Sequence, residues 1–461
     1  MEGFVSEEQL RSSIDSEGRR HKVQPADVQG RFARVRALLF PALIAIYLAL
    51  PFIQVRGRPA VFFDLPRRQF FLFGQVFNAQ DFWIVFFVLS AIGWSLIFVT
   101  TLWGRVWCGY ACPHTVFLEG VFRRIERLIE GTREARIRLQ RSPWTARKIA
   151  KKTLKHALYA VLAAGIAHAF LAYFISWANF VELFRDGPRA HPVTFTWAVA
   201  ISAVIYFNFA WFREQLCLVI CPYGRLQSVI TDQHSLVIGY DAKRGEPRGK
   251  VSDPAAGDCV QCGRCVAVCP TGIDIRNGLQ LDCIGCSACV DACDDIMDKV
   301  GRKRGLVRYD SLAAFEGQKT RWLRPRVLFY ALLGVVGIGA ASIAAGRYES
   351  FEASLIRATS TAYTLDAGAV RNAFTLHLIN KRDVSRTYRV SVQASPHITV
   401  NPALAEIVIG PLGARRITIL ASAQTAAPPP EALAGTVSVT VLSRHGQHDD
   451  RRELRAPFLA P

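Results

Sequence analysis

The sequence predicts a multi-domain membrane protein: an α-helical transmembrane bundle of five spans, a cysteine-rich cytoplasmic domain, and a C-terminal all-β, immunoglobulin-like sandwich. Three observations predict it. Of the 461 residues 51% are apolar and 20% are charged, too apolar for a soluble chain of this size. The 12 cysteines fall in tight groups. The tail after residue 346 is free of cysteine, and its apolar residues alternate with polar ones.

Residues 1–34 are polar and carry no early apolar run, so no secretory signal is expected and the first span is a retained anchor. Five segments supply the roughly 20 apolar residues a spanning helix needs: 35–53, 82–103, 157–177, 194–212 and 327–346. Trp83, Trp103, Trp177 and Trp211 sit near span ends, where amphipathic rings are favoured. Gly334, Gly337 and Gly339 superficially spell a dinucleotide fingerprint, but they lie inside an apolar span with no preceding strand. They read as close helix packing.

The net charge of +19 is explained by topology. Loop 104–156 is dense in Arg and Lys, from Arg123 to Lys155, whereas the loop after span three has only Arg185 and Arg189. Arg56, Arg58, Arg67 and Arg68 follow span one. The positive-inside rule then puts the N-terminus, loop 104–156 and residues 214–326 in the cytoplasm and the tail outside. No base-reading chemistry accompanies the basic residues, so no nucleic acid is expected. Within the loop, Val121, Phe122, Ile125, Leu128 and Ile129 recur at helical spacing, which suits a helix on the inner leaflet or one packed on protein.

The strongest signal is Cys259-x2-Cys262-x2-Cys265-x3-Cys269-Pro270, repeated as Cys283-x2-Cys286-x2-Cys289-x3-Cys293. This is the bacterial ferredoxin run given twice, in which the fourth cysteine ligates the other cluster. Cys259, Cys262, Cys265 and Cys293 should hold one 4Fe–4S cluster, and Cys283, Cys286, Cys289 and Cys269 the second. Zinc prefers four ligands in two pairs, and a reducing cytoplasmic face disfavours disulfides. Asp294 stands where the first run has proline; an acid beside Cys293 should lower that cluster's potential.

Cys108-x3-Cys112-Pro113 follows span two and Cys217-x3-Cys221-Pro222 follows span four, an internal repeat. At i, i+4 spacing in a helix both sulfurs of a pair share one face. If spans two and four are neighbours, four soft thiolates could hold Cu(I), zinc or another iron–sulfur cluster, or act as a dithiol redox pair. His114 could add a ligand. His168 is an intramembrane ionisable group, but one helical His does not make a haem site.

In the tail, Phe374, Leu376 and Leu378 alternate with other residues, as do Tyr388, Val390 and Val392, Ile407 and Ile409, Ile417 and Ile419, and Val437, Val439 and Val441. Turn residues at 380–383, 410–413 and 427–430 separate the runs, which suits a β-sandwich with a positioning role. The charged stretch 449–455 is expected to be exposed.

In order, the motifs W-C-G-Y-A-C-P-H-T at 107–115 and C-L-V-I-C-P-Y-G at 217–224, the ferredoxin runs and the β-rich tail closely resemble the cytochrome c oxidase accessory protein family (CcoG, FixG or RdxA). The resemblance implies a bacterial inner-membrane protein. Residues 1–34 would be cytoplasmic, 35–226 a four-helix transmembrane region, 227–326 a ferredoxin-like domain, 327–346 the fifth helix, and 347–461 a periplasmic domain. It also implies reduction of Cu(II) to Cu(I) for assembly of a cbb3-type oxidase, with Cys108, Cys112, Cys217 and Cys221 as the copper or redox site. Assembly factors or copper chaperones would be partners, an unnamed donor would supply electrons, and a homodimer is compatible. Two methionines, Met1 and Met297, argue against a methionine-lined export path. A quinol dehydrogenase subunit and a copper-holding scaffold are the rival readings.

Overall fold

The computed structural model describes residues 22–460, except 56–57, 67, 79–80, 176, 347–350, 359–362, 367, 383, 403, 425–434 and 446–447. Arg56, Arg67, the turn at 427–430, Asp383 and most of the N-terminal segment lie outside the described residues. The chain divides into two units, one formed by Met1–Gln75 and Phe82–Ala341, the other by Val76–Asp81 and Ser342–Pro461.

Among the described residues five helices are long and apolar enough to cross a membrane: Arg31–Ala49, Trp83–Trp103, Ala146–Leu171 and Pro192–Phe212 in the first unit, and Pro325–Ala344, which begins in the first unit and ends in the second. The second begins where hydropathy placed it, in the helix Phe82–Trp103. The third differs. Its helix starts at Ala146, where Thr145 caps the amide of Lys148, and ends at Leu171. A separate helix, Trp177–Asp186, follows. The basic stretch 146–156 is therefore helix, not loop, because Lys155 is buried against Glu126 at 3.4 Å and Glu130 at 2.7 Å. Of the three glycines in the last span, only Gly337 packs closely, facing Ala91 of the second; Gly334 and Gly339 face open space.

The helix Arg123–Glu130 packs on protein. Phe122 and Ile125 join an apolar cluster with Tyr159 and Phe209, while Leu128 is exposed. Its acids are buried as well. Glu126 meets Lys22, Arg136, Lys155 and Arg213. Burial alone would push the Glu126 carboxyl up, but Arg213, Lys22 and Lys155 outweigh it and hold it well below the usual range.

Between the fourth and fifth spans lies the cysteine-rich domain, in which Leu236–Tyr240 pairs antiparallel with Val307–Ser311. Its helix Ala288–Lys299 is tied to the first span. Asp291 accepts from the amides of Phe32 (3.3 Å) and Ala33 (2.7 Å), so its carboxylate caps the first turn of Arg31–Ala49.

The second unit contains two antiparallel sheets. One orders Thr399–Asn401, Ala414–Gln424, Ala369–Asn380 and Phe351–Arg357, with Thr364–Asp366 also on Ala369–Asn380. The other orders Leu404–Ile409, Arg386–Ala394, Gly435–His445 and His448–Phe458. The alternating residues face one core: Phe374, Leu376, Leu378, Tyr388, Val390, Ile419, Val437, Val439 and Val441 are all buried. Registers Leu376↔Ile417 and Val390↔Val441 place apolar partners opposite each other. The charged stretch 449–455 lies in an edge strand, with Arg451, Glu453 and Arg455 exposed on its outer face.

Candidate functional site: two four-cysteine cavities beside a thiol cluster

Eight cysteines of the two long runs line two cavities, and they do so crosswise. Cys259, Cys262, Cys265 and Cys293 surround one, with Tyr240, Met297 and Leu306 as walls. Cys269, Cys283, Cys286 and Cys289 surround the other, walled by Ile238, Ile273, Ile275 and Ile284. Cys265 touches both cavities.

The backbone repeats along with the ligands. Gln261 (φ 54°) and Gly263 (φ 62°) flank Cys262; Gly285 (φ 69°) and Ser287 (φ 60°) flank Cys286. Left-handed residues on both sides of the middle cysteine turn amide N–H groups toward one side, a concavity suited to an anionic centre. Four sulfurs, apolar walls and this backbone fit a 4Fe–4S cluster in each cavity. Pro270 follows the short helix Arg264–Ala267, whereas Asp294 lets Ala288–Lys299 run on through Cys293 and accepts from the Gly305 amide at 2.9 Å.

The remaining four cysteines come together from the two repeats. The expectation that each pair shares one helical face is corrected. Cys108 lies in Val106–Tyr110 and Cys217 in a π-helical turn, Leu216–Ile220, but Cys112 and Cys221 are extended and each caps the next helix. Their ψ values are 124° and 112°. The following proline disfavours a helical conformation at the residue before it and occupies the first helical position. Cys108 interacts electrostatically with Cys112 and Cys221, and Cys217 with all three others. Gln227, fully buried, donates to the Cys108 sulfur at 3.5 Å.

Among the described residues no three His, Cys, Asp or Glu side chains close around a single ion. Burial pushes the Cys108 thiol up to about 11 and the Cys217 thiol up to about 12, and neighbouring thiols add to both. Both of these thiols are therefore protonated at neutral pH when no cation is bound. A metal cation at the site would compensate the thiolates and release their protons.

The thiol cluster abuts the second cavity. Cys108 packs against the apolar cluster of Val268, Ile284, Cys286, Ala288 and Ala292. A Cβ on Gly109 would lie 2.8 Å from the Gly285 carbonyl carbon and 2.9 Å from the Cys286 Cα, so the backbones touch. Arg105 clamps the junction, donating to the carbonyls of Leu281, Cys283 and Gly224. Sequence reasoning missed Arg105, Gln227 and Asp291, since none belongs to a motif.

His114 is not placed as a ligand. Its Nε2 donates to the Arg213 carbonyl (2.9 Å), its Nδ1 accepts from Asn208 (3.2 Å), and its ring stacks on Phe209. Burial lowers its pKa to about 4, so the ring is neutral. In span three, His168 Nδ1 donates to the Ala164 carbonyl one turn back, and its ring lies against Phe184.

Family models agree with this architecture. A 4Fe–4S dicluster domain matches residues 212–312, a 4Fe–4S binding domain matches 82–131, and an IG-like fold at the C-terminal of FixG matches 342–461. The chain is an iron–sulfur electron-transfer protein with helices able to span a membrane, of the oxidoreductase class. It belongs to the FixG/RdxA family. Nitrogen fixation protein FixG of Rhizobium meliloti is 35% identical over 432 residues, covering 84% of this chain and 82% of that protein. Protein RdxA of Cereibacter sphaeroides is 36% identical over 392 residues, covering 82% and 83%. The crystal structure of a FixG-related protein from Vibrio parahaemolyticus aligns with 24% of this chain and 98% of its own, at 16% identity and a TM-score of 0.19.

Proposed function

We propose that this protein reduces Cu(II) to Cu(I) at Cys108, Cys112, Cys217 and Cys221, for assembly of a cbb3-type cytochrome oxidase. The observation that carries the reading is the contact of the four-thiol cluster with the second four-cysteine cavity through Gly109, Gly285 and Cys286. Bound 4Fe–4S clusters supply electrons singly, and the reduction takes one. Thiolates favour the soft Cu(I) product over Cu(II). Gln227 orients the Cys108 sulfur, and the apolar walls of the cavities exclude water. Cys262 is exposed, which makes the first cavity the side open to an external electron donor. In this reading the face lies in the cytoplasm of a bacterial inner membrane and the β-domain in the periplasm, which the charge pattern of the loops supports.

The test mixes anaerobically reduced protein with Cu(II) and a Cu(I)-specific chelator. Stoichiometric Cu(I), lost when the four cysteines become serine, is the expected result; none from the parent chain rejects the proposal.

A second reading has its own support. The 4Fe–4S match at 82–131 includes Cys108 and Cys112. The site would then hold a third cluster. Iron analysis separates the two: about eight irons per chain for two clusters, about twelve for three.

A further inference from the structure

Five guanidinium groups from three helices converge on one cavity of about 180 Å3. Arg36 comes from the start of the first span, Arg123, Arg124 and Arg127 from Arg123–Glu130, and Arg136 from Arg133–Arg141. The cavity also has two carboxylates, both engaged: Asp27 pairs with Arg127 at 3.0 Å, and Glu119 with Arg123. Its apolar floor is Val268, Pro270 and Ala288.

The arginines are not all satisfied. The Nε atoms of Arg36, Arg123 and Arg136 are buried without an acceptor, and Arg123 and Arg136 are 5% and 3% exposed. Buried donors are normally paired. Arg123, Arg127 and Arg136 each meet a carboxylate, whereas Arg36 and Arg124 make no ion pair among the described residues, so the lining carries two positive charges that no carboxylate compensates. Folding gathers like charges this way at little cost only where an anion joins them. Guanidinium groups match the paired oxygens of a phosphate. The cavity also opens at the end of an apolar spanning helix, the depth at which phospholipid headgroups lie.

We infer that this cavity is a phosphate-binding site, taking the phosphate of an anionic lipid headgroup or of a soluble phosphate. The inference does not rest on the proposed copper chemistry.

The test uses the full chain, purified in detergent and delipidated. One arm adds phosphatidylglycerol or phosphatidylcholine and counts retained lipid by native mass spectrometry; the other titrates inorganic phosphate by calorimetry. About one equivalent of phosphatidylglycerol or of phosphate is expected to bind, the arm that responds naming the source. The variant Arg36→Ala/Arg124→Ala should weaken binding at least tenfold, and Arg36→Lys/Arg124→Lys should recover part of it. Both residues lack ion-pair partners, so thermal unfolding should be unchanged. Should the double variant unfold, protection of Arg36 and Arg124 from phenylglyoxal by the bound probe in the parent chain decides instead. Binding of neither probe, equal binding by the alanine variant, or no protection overturns the inference.

Discussion

At the scale of single residues, Gly109 shows how tightly the thiol cluster and the second cavity are joined. A methyl group there meets backbone at 2.8–2.9 Å, and backbone cannot step aside as a flexible side chain can. Gly109→Ala should cost about 1–3 kcal/mol in chemical denaturation and perturb the visible spectrum of the bound clusters. An unchanged spectrum and midpoint would remove the contact from the account. His114 makes a second prediction. Its pKa falls from 6.5 to about 4 on folding, so between these values the unfolded chain binds a proton that the folded chain refuses. Stability must fall as pH drops through that window. His114→Gln, which keeps a donor and an acceptor but does not titrate, should flatten the slope when unfolding midpoints are compared at pH 7 and pH 5.

At the scale of elements, the two cysteine runs differ by one residue with a structural effect. Proline after Cys269 stops a short helix, while Asp294 after Cys293 lets its helix continue to Lys299. Asp294→Pro, which makes the second run match the first, should cost about 3 kcal/mol because residue 294 is a helix interior. Differential scanning calorimetry would show it; a neutral result would contradict the helix. The same residues show what sequence can carry. Ligand spacing is local chemistry, so the crosswise grouping of Cys293 and Cys269 was legible, as were the strands whose alternate residues fill one core. The third span was not. Hydropathy counts Lys148 and Lys155 as loop, yet both are buried, and Lys155 is paired with acids distant in sequence. The i, i+4 reading of the cysteine pairs failed because spacing was weighed without the proline after each pair.

For the whole molecule, the cysteine domain is held to the long apolar helices by contacts no motif announces: the Asp291 carboxylate on the helix Arg31–Ala49, and Arg105 on the carbonyls of Leu281, Cys283 and Gly224. Such contacts join residues far apart in the chain, which is why they cannot be read from spacing. They also keep two four-cysteine cavities and a four-thiol cluster in one unit, with Cys262 at the exposed end and Cys108 at the buried junction. The most direct check is an EPR titration of anaerobically reduced protein with Cu(II). Reduced-cluster signal should disappear one spin per Cu(I) formed, and the Cys108/Cys112/Cys217/Cys221→Ser variant should keep its signal on adding copper. Equal signal loss in both proteins, or a preparation without iron, would contradict copper reduction at these four cysteines.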